Sequence, residues 1–95
     1  MNKYETVFIA NPNLEDESIK ALISKFSDLI NANGKVEKVE EVGKKKLAYE
    51  IKKNTEGYYV VMDFEANPEF VAELERVYRI TDGVMKFITI RKDEE

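Results

Sequence analysis

The basic side chains are the residues of this 95-residue chain best suited to a chemical task, and they are unevenly placed. Lys44, Lys45 and Lys46 are consecutive, and Arg91 and Lys92 are adjacent near the end of the chain. Lysine and arginine gain affinity for phosphate groups because they release the counterions that surround a nucleic acid. The spacing therefore indicates candidate sites for phosphate binding, although a solvated strand end carries the same pattern.

The side chains most used in catalysis are missing from this sequence. It has no cysteine and no histidine, which excludes disulfides, thiolate–zinc sites and the commonest general base. Adjacent carboxylates such as Glu40-Glu41 and Glu15-Asp16-Glu17 are better explained as a solvated strand and a helix start. We therefore expect no enzymatic activity, no metal and no cofactor.

The net charge of −4, from 15 basic and 19 acidic residues, is at first sight unlike that of a nucleic-acid-binding protein. The average hides a segregation, since residues 34–53 carry 7 positive and 4 negative charges. Residues 54–83 carry 2 positive and 7 negative charges. No apolar run approaches the roughly 20 residues of a membrane span, and no signal peptide is visible, so we expect a cytoplasmic protein.

Two segments have the periodicity of amphipathic helices. The first is Leu14–Asn33, with an apolar stripe from Ile19 to Ile30, and we expect Gly34 to end it in a left-handed conformation. The second opens at Asn67-Pro68, where proline suits the first helical position, and ends at Asp82-Gly83. Its predicted stripe is Val71, Leu74, Val77 and Tyr78.

Four segments rich in β-branched and aromatic residues are predicted as strands. Gly43 falls within the second of them and predicts a bulge, and residues 54–57 predict a hairpin loop of about four residues. Residues 92–95 are predicted as a charged tail. The predicted strands are Tyr4–Ala10, Val36–Lys53, Tyr58–Glu65 and Val84–Arg91.

The order β-α-β-β-α-β predicts an α+β, ferredoxin-like domain over residues 1–95. Right-handed crossovers then give a four-stranded antiparallel sheet with both helices on one face. The first and third strands lie in its centre, and the fourth runs antiparallel beside the first. Lys3 and Tyr4 are therefore expected next to Arg91 and Lys92, where the aromatic ring would stack on a base or ribose.

The sheet face away from the helices is predicted to carry more apolar side chains than a solvated face needs. Val7, Ile9, Tyr59 and Val61 point to it, joined by either Ile88 and Ile90 or Phe87 and Thr89. A cluster of this kind favours a partner surface. Scattered apolar residues on an ordinary protein surface are the alternative.

Other functions known for this element order fit the residues less well. The RNA-recognition motif signature matches residues 56–63 only at Gly57, Tyr58 and Val61, and Tyr58 is predicted to face the helices. A small acyl-phosphatase-like enzyme would need an arginine-bearing phosphate loop after the first strand, and Asn11-Pro12-Asn13 provides none. A homo-oligomeric regulatory module, associating through the apolar face, is the third hypothesis.

Four stretches of the sequence together resemble one family. The most specific, Gly43–Lys52, follows a pattern of glycine, any residue, a basic residue, a polar residue, leucine, alanine or serine, tyrosine, any residue and isoleucine. Residues 3–92 thereby resemble the bacterial small-subunit ribosomal protein six family. The other three stretches are Tyr4–Leu14, Gly57–Tyr59 and Arg79–Val84.

This resemblance implies a structural constituent of the small ribosomal subunit, without enzymatic activity, that supports subunit assembly and translation. It implies binding to the central domain of the small-subunit ribosomal RNA together with small-subunit ribosomal protein eighteen. The positions carried over for RNA binding are Lys3, Tyr4, Lys86, Arg91 and Lys92. The positions assigned to the partner, with RNA left open for the three lysines, are Lys44, Lys45, Lys46, Tyr59 and Val61.

Overall fold

The protein's structure, a computed structural model, describes residues 1–51 and 53–92. Its elements follow in the predicted order, and the sheet order is β2-β3-β1-β4 with every neighbouring pair antiparallel. This confirms the ferredoxin-like arrangement. The elements are β1 (Asn2–Ala10), α1 (Asp16–Asn33), β2 (Gly34–Ile51), β3 (Asn54–Ala66), α2 (Pro68–Ile80) and β4 (Val84–Arg91).

The core lies between the helices and one face of the two central strands. Because successive side chains of a strand point to opposite faces, every second residue of β1 and β3 is buried. The helix-side strand residues that are buried are Tyr4, Thr6, Phe8 and Ala10 from β1, Val60, Met62, Phe64 and Ala66 from β3, and Val84 from β4. Ile9, on the other face of β1, is also only 7% exposed. The helices add Ile19, Leu22, Phe26 and Ile30 from α1, and Phe70, Leu74 and Tyr78 from α2. Phe70 is the one helix residue of this core that the sequence analysis did not place in a stripe. Neither described helix is both long and apolar enough to cross a membrane.

Gly34 ends α1 as predicted, but the predicted reason is wrong. Its φ of −174° is extended and lies outside the left-handed region. A Cβ built on Gly34 would lie 2.0 Å from the carbonyl oxygen of Glu65 and 3.0 Å from the Cβ of Ala66. Glycine is therefore required there because the backbones of β2 and β3 approach too closely for any side chain.

We expect Gly34→Ala to lower the free energy of unfolding by about 3 kcal/mol, because the new methyl group meets backbone atoms that cannot rotate away. Gly43→Ala is the control, since Gly43 has a φ of 95° and no atom within 4 Å of a built Cβ. The Gly43→Ala substitution costs only the strain of a left-handed backbone at alanine, so the free energy of unfolding should fall by about 1 kcal/mol. Urea unfolding curves measure both, and a larger loss at Gly43 would contradict the steric explanation.

The hairpin between β2 and β3 is longer and tighter than predicted. Asn54 pairs with Ile51, so residues 54–57 belong to β3 and are not the predicted loop. The turn includes Lys53, with a φ of 66°. Lys52 lies outside the described residues, as do residues 93–95 of the predicted tail. The predicted bulge at Gly43 is confirmed by a register shift between Glu41 and Gly43.

Candidate partner and nucleic-acid interface

The sheet face away from the helices, called the open face below, carries two mostly apolar rows of side chains. Residues paired across adjacent strands share a face, so the registers define each row. The first row is Lys86, Ile9, Tyr59 and Gly43. The second row is Ile88, Val7, Val61 and Glu40. The predicted placement of Val7, Ile9, Tyr59 and Val61 on the open face is therefore confirmed.

The structure also decides which residues of β4 reach the open face. Phe87 stacks on Tyr78 of α2, with ring centroids 5.1 Å apart, so it lies on the helix side. The Thr89 hydroxyl lies 2.9 Å from that of the buried Thr6, also on the helix side. Ile88 and Ile90 consequently point to the open face, and Ile88 is 58% exposed.

A groove of about 240 Å³ runs along this apolar part of the open face. The residues that line it are Val7, Ile9, Tyr59, Lys86, Phe87 and Ile88. Contiguous apolar surface of this kind is uncommon on a protein that works alone. The groove can accept a large apolar side chain from a second molecule.

The basic residues predicted to meet at one end of the sheet do so. Arg91 is the Cα partner of Tyr4, and its Nη2 donates to Oδ1 of Asn2 at 3.1 Å. The backbone N–H of Lys92 donates to the carbonyl of Lys3 at 2.8 Å. Lys3, Arg91 and Lys92, called the terminal basic cluster below, therefore lie together on adjoining strands.

Tyr4 does not take the place that was predicted for it. Its side chain is only 6% exposed, and its ring stacks on that of Phe64 with centroids 5.5 Å apart. The ring is part of the core and has no free face for a base or a ribose. The expectation of a stacking role for Tyr4 is corrected accordingly.

Lys86 lies at the opposite end of β4 from the terminal basic cluster. It is five residues from Arg91, which is about 17 Å along a strand. Its ammonium group donates to the Tyr49 hydroxyl and lies 4.9 Å from the centre of the Tyr49 ring. The positions predicted for RNA binding therefore divide between two ends of the sheet.

Tyr49 is a surface residue that the sequence analysis did not select. It belongs to the part of the β2–β3 hairpin that extends beyond the pairing with β1, and its ring is well exposed. Contact with Lys86 joins this hairpin extension to the edge strand β4. In the sequence, Leu47, Tyr49 and Ile51 alternate with more polar residues, which predicts a strand but not this contact.

The three consecutive lysines of β2 are exposed but do not form one surface with Tyr59 and Val61. Lys45 pairs with Gly57 and shares the open face. Lys44 pairs with Tyr58 and Lys46 with Glu56, which places both on the other side of the strand. Because β2 is an edge strand, all three lysines remain accessible to a phosphate or a protein.

The resolved pKa shifts of this region belong to structural groups. Burial, followed by the hydrogen bond that the Tyr58 hydroxyl donates to Oε1 of Glu41, raises the pKa of Tyr58. Burial likewise raises the pKa of Tyr78 far above its usual range. These shifts keep both phenols protonated near neutral pH, so neither provides a general base. Among residues 1–51 and 53–92, no group of three or more acidic, histidine or cysteine side chains is arranged to hold a metal ion.

Comparison with known proteins gives a consistent result over the whole chain. The profile of the family described as ribosomal protein S6 matches residues 3–91. The chain is 52% identical to small ribosomal subunit protein bS6 of Clostridium perfringens (strain SM101 / Type A) over 95 residues, covering 99% of this chain and 100% of the relative. It is 53% identical to the protein of the same description from Clostridium novyi (strain NT), with the same coverage. The crystal structure of 30S ribosomal protein S6 from Thermotoga maritima superposes with a TM-score of 0.91 and 38% identity, covering 96% of this chain and 87% of that one.

Proposed function

The chain belongs to the ribosomal protein S6 family, and from this premise we propose that it binds the central domain of the small-subunit ribosomal RNA together with small-subunit ribosomal protein eighteen. Family membership makes the chain a structural protein of the small ribosomal subunit and confirms the prediction that it is not an enzyme. We place its work in the bacterial cytoplasm, on the ribosome.

The observation that carries the proposal is the apolar groove on the open face. A protein that contacted only RNA would not need Val7, Ile9, Tyr59 and Ile88 side by side, because RNA backbones present charge and ribose hydroxyls. Apolar contact of this kind suits the core of a protein–protein interface. We therefore assign the groove to the protein partner.

The terminal basic cluster supports the RNA part of the proposal. Lys3, Arg91 and Lys92 lie on adjoining strand ends, with Lys3 and Lys92 on the open face and Arg91, which pairs with Tyr4, on the helix side. With a net charge of −4, the chain as a whole is repelled by RNA, so a basic partner must supply much of the favourable electrostatic free energy. Lys86 with Tyr49, and the lysines at 44–46, provide further contacts along the edges.

The experiment that tests the proposal is RNA binding with and without the partner. Filter binding to the central-domain RNA should show weak affinity for the purified chain alone and strong affinity once small-subunit ribosomal protein eighteen is added. Tight binding that does not depend on the partner would contradict the joint mechanism. Recovery of the tagged chain without small ribosomal subunits would contradict the proposal as a whole.

Reversing two charges of the terminal basic cluster tests the RNA surface. We expect Arg91→Glu with Lys92→Glu to weaken RNA binding of the paired proteins by about 10-fold or more, and to reduce the salt slope by roughly 1–2. The reason is that binding releases fewer counterions from the RNA for each phosphate contact that is lost. The control is the single reversal Lys20→Glu, on the exposed surface of α1 and away from the open face. Titrations at several salt concentrations measure both, and an equal loss in the control would refute this assignment.

A further inference from the structure

Two carboxylates face each other next to the apolar rows of the open face. Glu5 of β1 and Asp63 of β3 are direct Cα partners, one row beyond Val7 and Val61. Like charges placed directly opposite each other destabilise an antiparallel pair. The arrangement therefore needs a compensating cation at this point.

Two described cations lie beside this pair, and they compensate it only in part. Lys38 is the Cα partner of Asp63 on β2, but its side chain is 67% exposed and its ammonium lies 3.9 Å from Oε1 of Glu40. The Lys92 ammonium lies 3.2 Å from Oδ2 of Asp63. The second oxygen, Oδ1, is buried and has no hydrogen-bond partner among the residues that the structure describes. A carboxylate oxygen buried without a donor is unfavourable, because it has lost water without replacement. In the free chain, therefore, Oδ2 of Asp63 has a cationic partner and Oδ1 has no hydrogen-bond donor among the described residues.

We propose that Asp63 receives a cationic side chain of the protein partner, an arginine by its chemistry, and that Lys92 holds this place in the free chain. The inference rests on the proposed function, in which a protein covers the open face. A guanidinium group presents two parallel donors that match both oxygens of a carboxylate, whereas the Lys92 ammonium is a point charge. An arginine therefore satisfies Oδ1 and Oδ2 together.

The spacing along β3 defines the partner segment more closely. Asp63 follows Val61 by two residues and Tyr59 by four, which is about 7 Å and 13 Å along a strand. A partner segment that fits this surface therefore carries a large apolar side chain for the groove and an arginine about 7–13 Å from it. The Asp63 side chain is 20% exposed and, by its pairing with Glu5, lies on the open face.

Charge favours a protein over RNA as the occupant of this point. The facing carboxylates of Glu5 and Asp63 repel phosphate groups. Glu65 follows two residues later on the same face, but both of its Cα partners, Lys3 and Lys35, are cations, so the repulsion is centred on Glu5 and Asp63. RNA contact at this row would bring phosphates against these acids. A basic protein segment, in contrast, is attracted by these carboxylates and gains binding free energy from them.

The experiment is calorimetric binding of the chain to purified small-subunit ribosomal protein eighteen, without RNA. We expect Asp63→Asn to weaken the affinity on the order of 10- to 100-fold, as for the loss of a charge-assisted hydrogen bond at a desolvated position. The matched control is Glu65→Gln, on the same face of the same strand, with an expected change of about 3-fold or less.

Lys92→Met separates the partner contact from the internal ion pair. Both Lys92→Met and Asp63→Asn remove the Lys92–Asp63 pair, but only Asp63→Asn removes the anion that the partner needs. Unchanged or tighter binding of Lys92→Met supports the inference. A loss equal to that of Asp63→Asn would overturn it, because the internal pair would then be the cause.

The outcome also distinguishes this inference from the proposed function. If Ile88→Glu prevents binding while Asp63→Asn binds as tightly as the unchanged chain, the groove is the interface and the role of Asp63 is refuted. If neither substitution weakens binding, the proposed partner surface itself is wrong. Circular dichroism and thermal unfolding of each variant show that the sheet is intact, since both side chains lie outside the core.

Discussion

Replacing Ile88 by glutamate is expected to weaken binding of the protein partner by at least about 100-fold, through the burial of an unpaired carboxylate in an apolar interface. Ile88 is 58% exposed and lies beside Val7 at the groove. Because the side chain contributes little to the core, the free energy of unfolding should change by less than about 0.5 kcal/mol. Calorimetric titration against the purified partner and a urea unfolding curve measure the two effects.

The control for Ile88 is Ile80→Glu. Ile80 is also a large exposed aliphatic residue, at 66%, but it ends α2 on the helix side of the sheet. The substitution introduces the same charge and leaves the open face unchanged. Equal loss of affinity in both variants would show a general effect of net charge and would contradict the assignment of the groove.

Size-exclusion chromatography of the same two variants tests the homo-oligomeric hypothesis from the sequence analysis. If the open face joined two copies of this chain, the unchanged protein would elute as an oligomer and Ile88→Glu as a monomer. We expect a monomer in each case, since the groove is assigned to a different protein. An oligomer that only Ile88→Glu disrupts would contradict that assignment.

The sequence predicted the side-chain faces of β3 because Asp63 and Glu65 mark the open face, and the two-residue period then places Tyr59 and Val61 on it. The structure agrees, since Val60, Met62 and Phe64 are buried between them. The faces of β4 could not be predicted in this way, since large apolar residues occur both in the set with Ile88 and Ile90 and in the set with Phe87. The deciding contacts are tertiary, between Phe87 and Tyr78 and between Thr89 and Thr6, and no local pattern contains them.

The buried position of Tyr4 could have been predicted from the alternation of β1, but its proximity to Arg91 was given more weight. Topology placed it correctly beside Arg91, but topology fixes only a position along the strand. Alternation with Thr6 and Phe8 assigns Tyr4 to the core face, where it packs on Phe64. Proximity of an aromatic residue to cations is therefore insufficient unless its face is established too.

The contact between Tyr49 and Lys86 had no readable signal. It depends on the path of the hairpin extension, where the register shifts between Lys46 and Ile51. Such irregularities change which way later side chains point, and alternation cannot be extended through them. The tight turn was missed for a related reason, because the polar residues 54–57 resemble a loop but pair as a strand.

Replacing Tyr78 by alanine is expected to lower the free energy of unfolding by about 4 kcal/mol, since it removes a large ring from the centre of the core. Tyr78 is 1% exposed. Its ring centroid lies 4.4 Å from that of Phe26, 5.6 Å from that of Phe8 and 5.1 Å from that of Phe87. Much of the stability of a small domain, about 5–15 kcal/mol, would be lost.

Tyr78→Phe is the control, because it keeps the ring and removes only the hydroxyl that lies 3.0 Å from Oγ1 of Thr6. Thr6 keeps its contacts to the Thr89 hydroxyl and the Ile88 carbonyl, so the loss should be about 1 kcal/mol. Guanidinium unfolding at pH 7 measures both variants. A loss in Tyr78→Phe as large as in Tyr78→Ala would show that the hydroxyl, not ring packing, dominates.

Tyr78→Phe should also change how the free energy of unfolding depends on pH. Burial raises the pKa of Tyr78 above its ordinary value of 10.0. Above about pH 10 the unfolded chain therefore releases this proton while the folded chain retains it, and the free energy of unfolding falls as pH rises. Below pH 10 the phenol is protonated in both states and contributes no slope. Tyr78→Phe has no such proton, so its stability should fall less steeply above pH 10, and equal slopes in the two proteins would contradict burial of a protonated phenol as the cause.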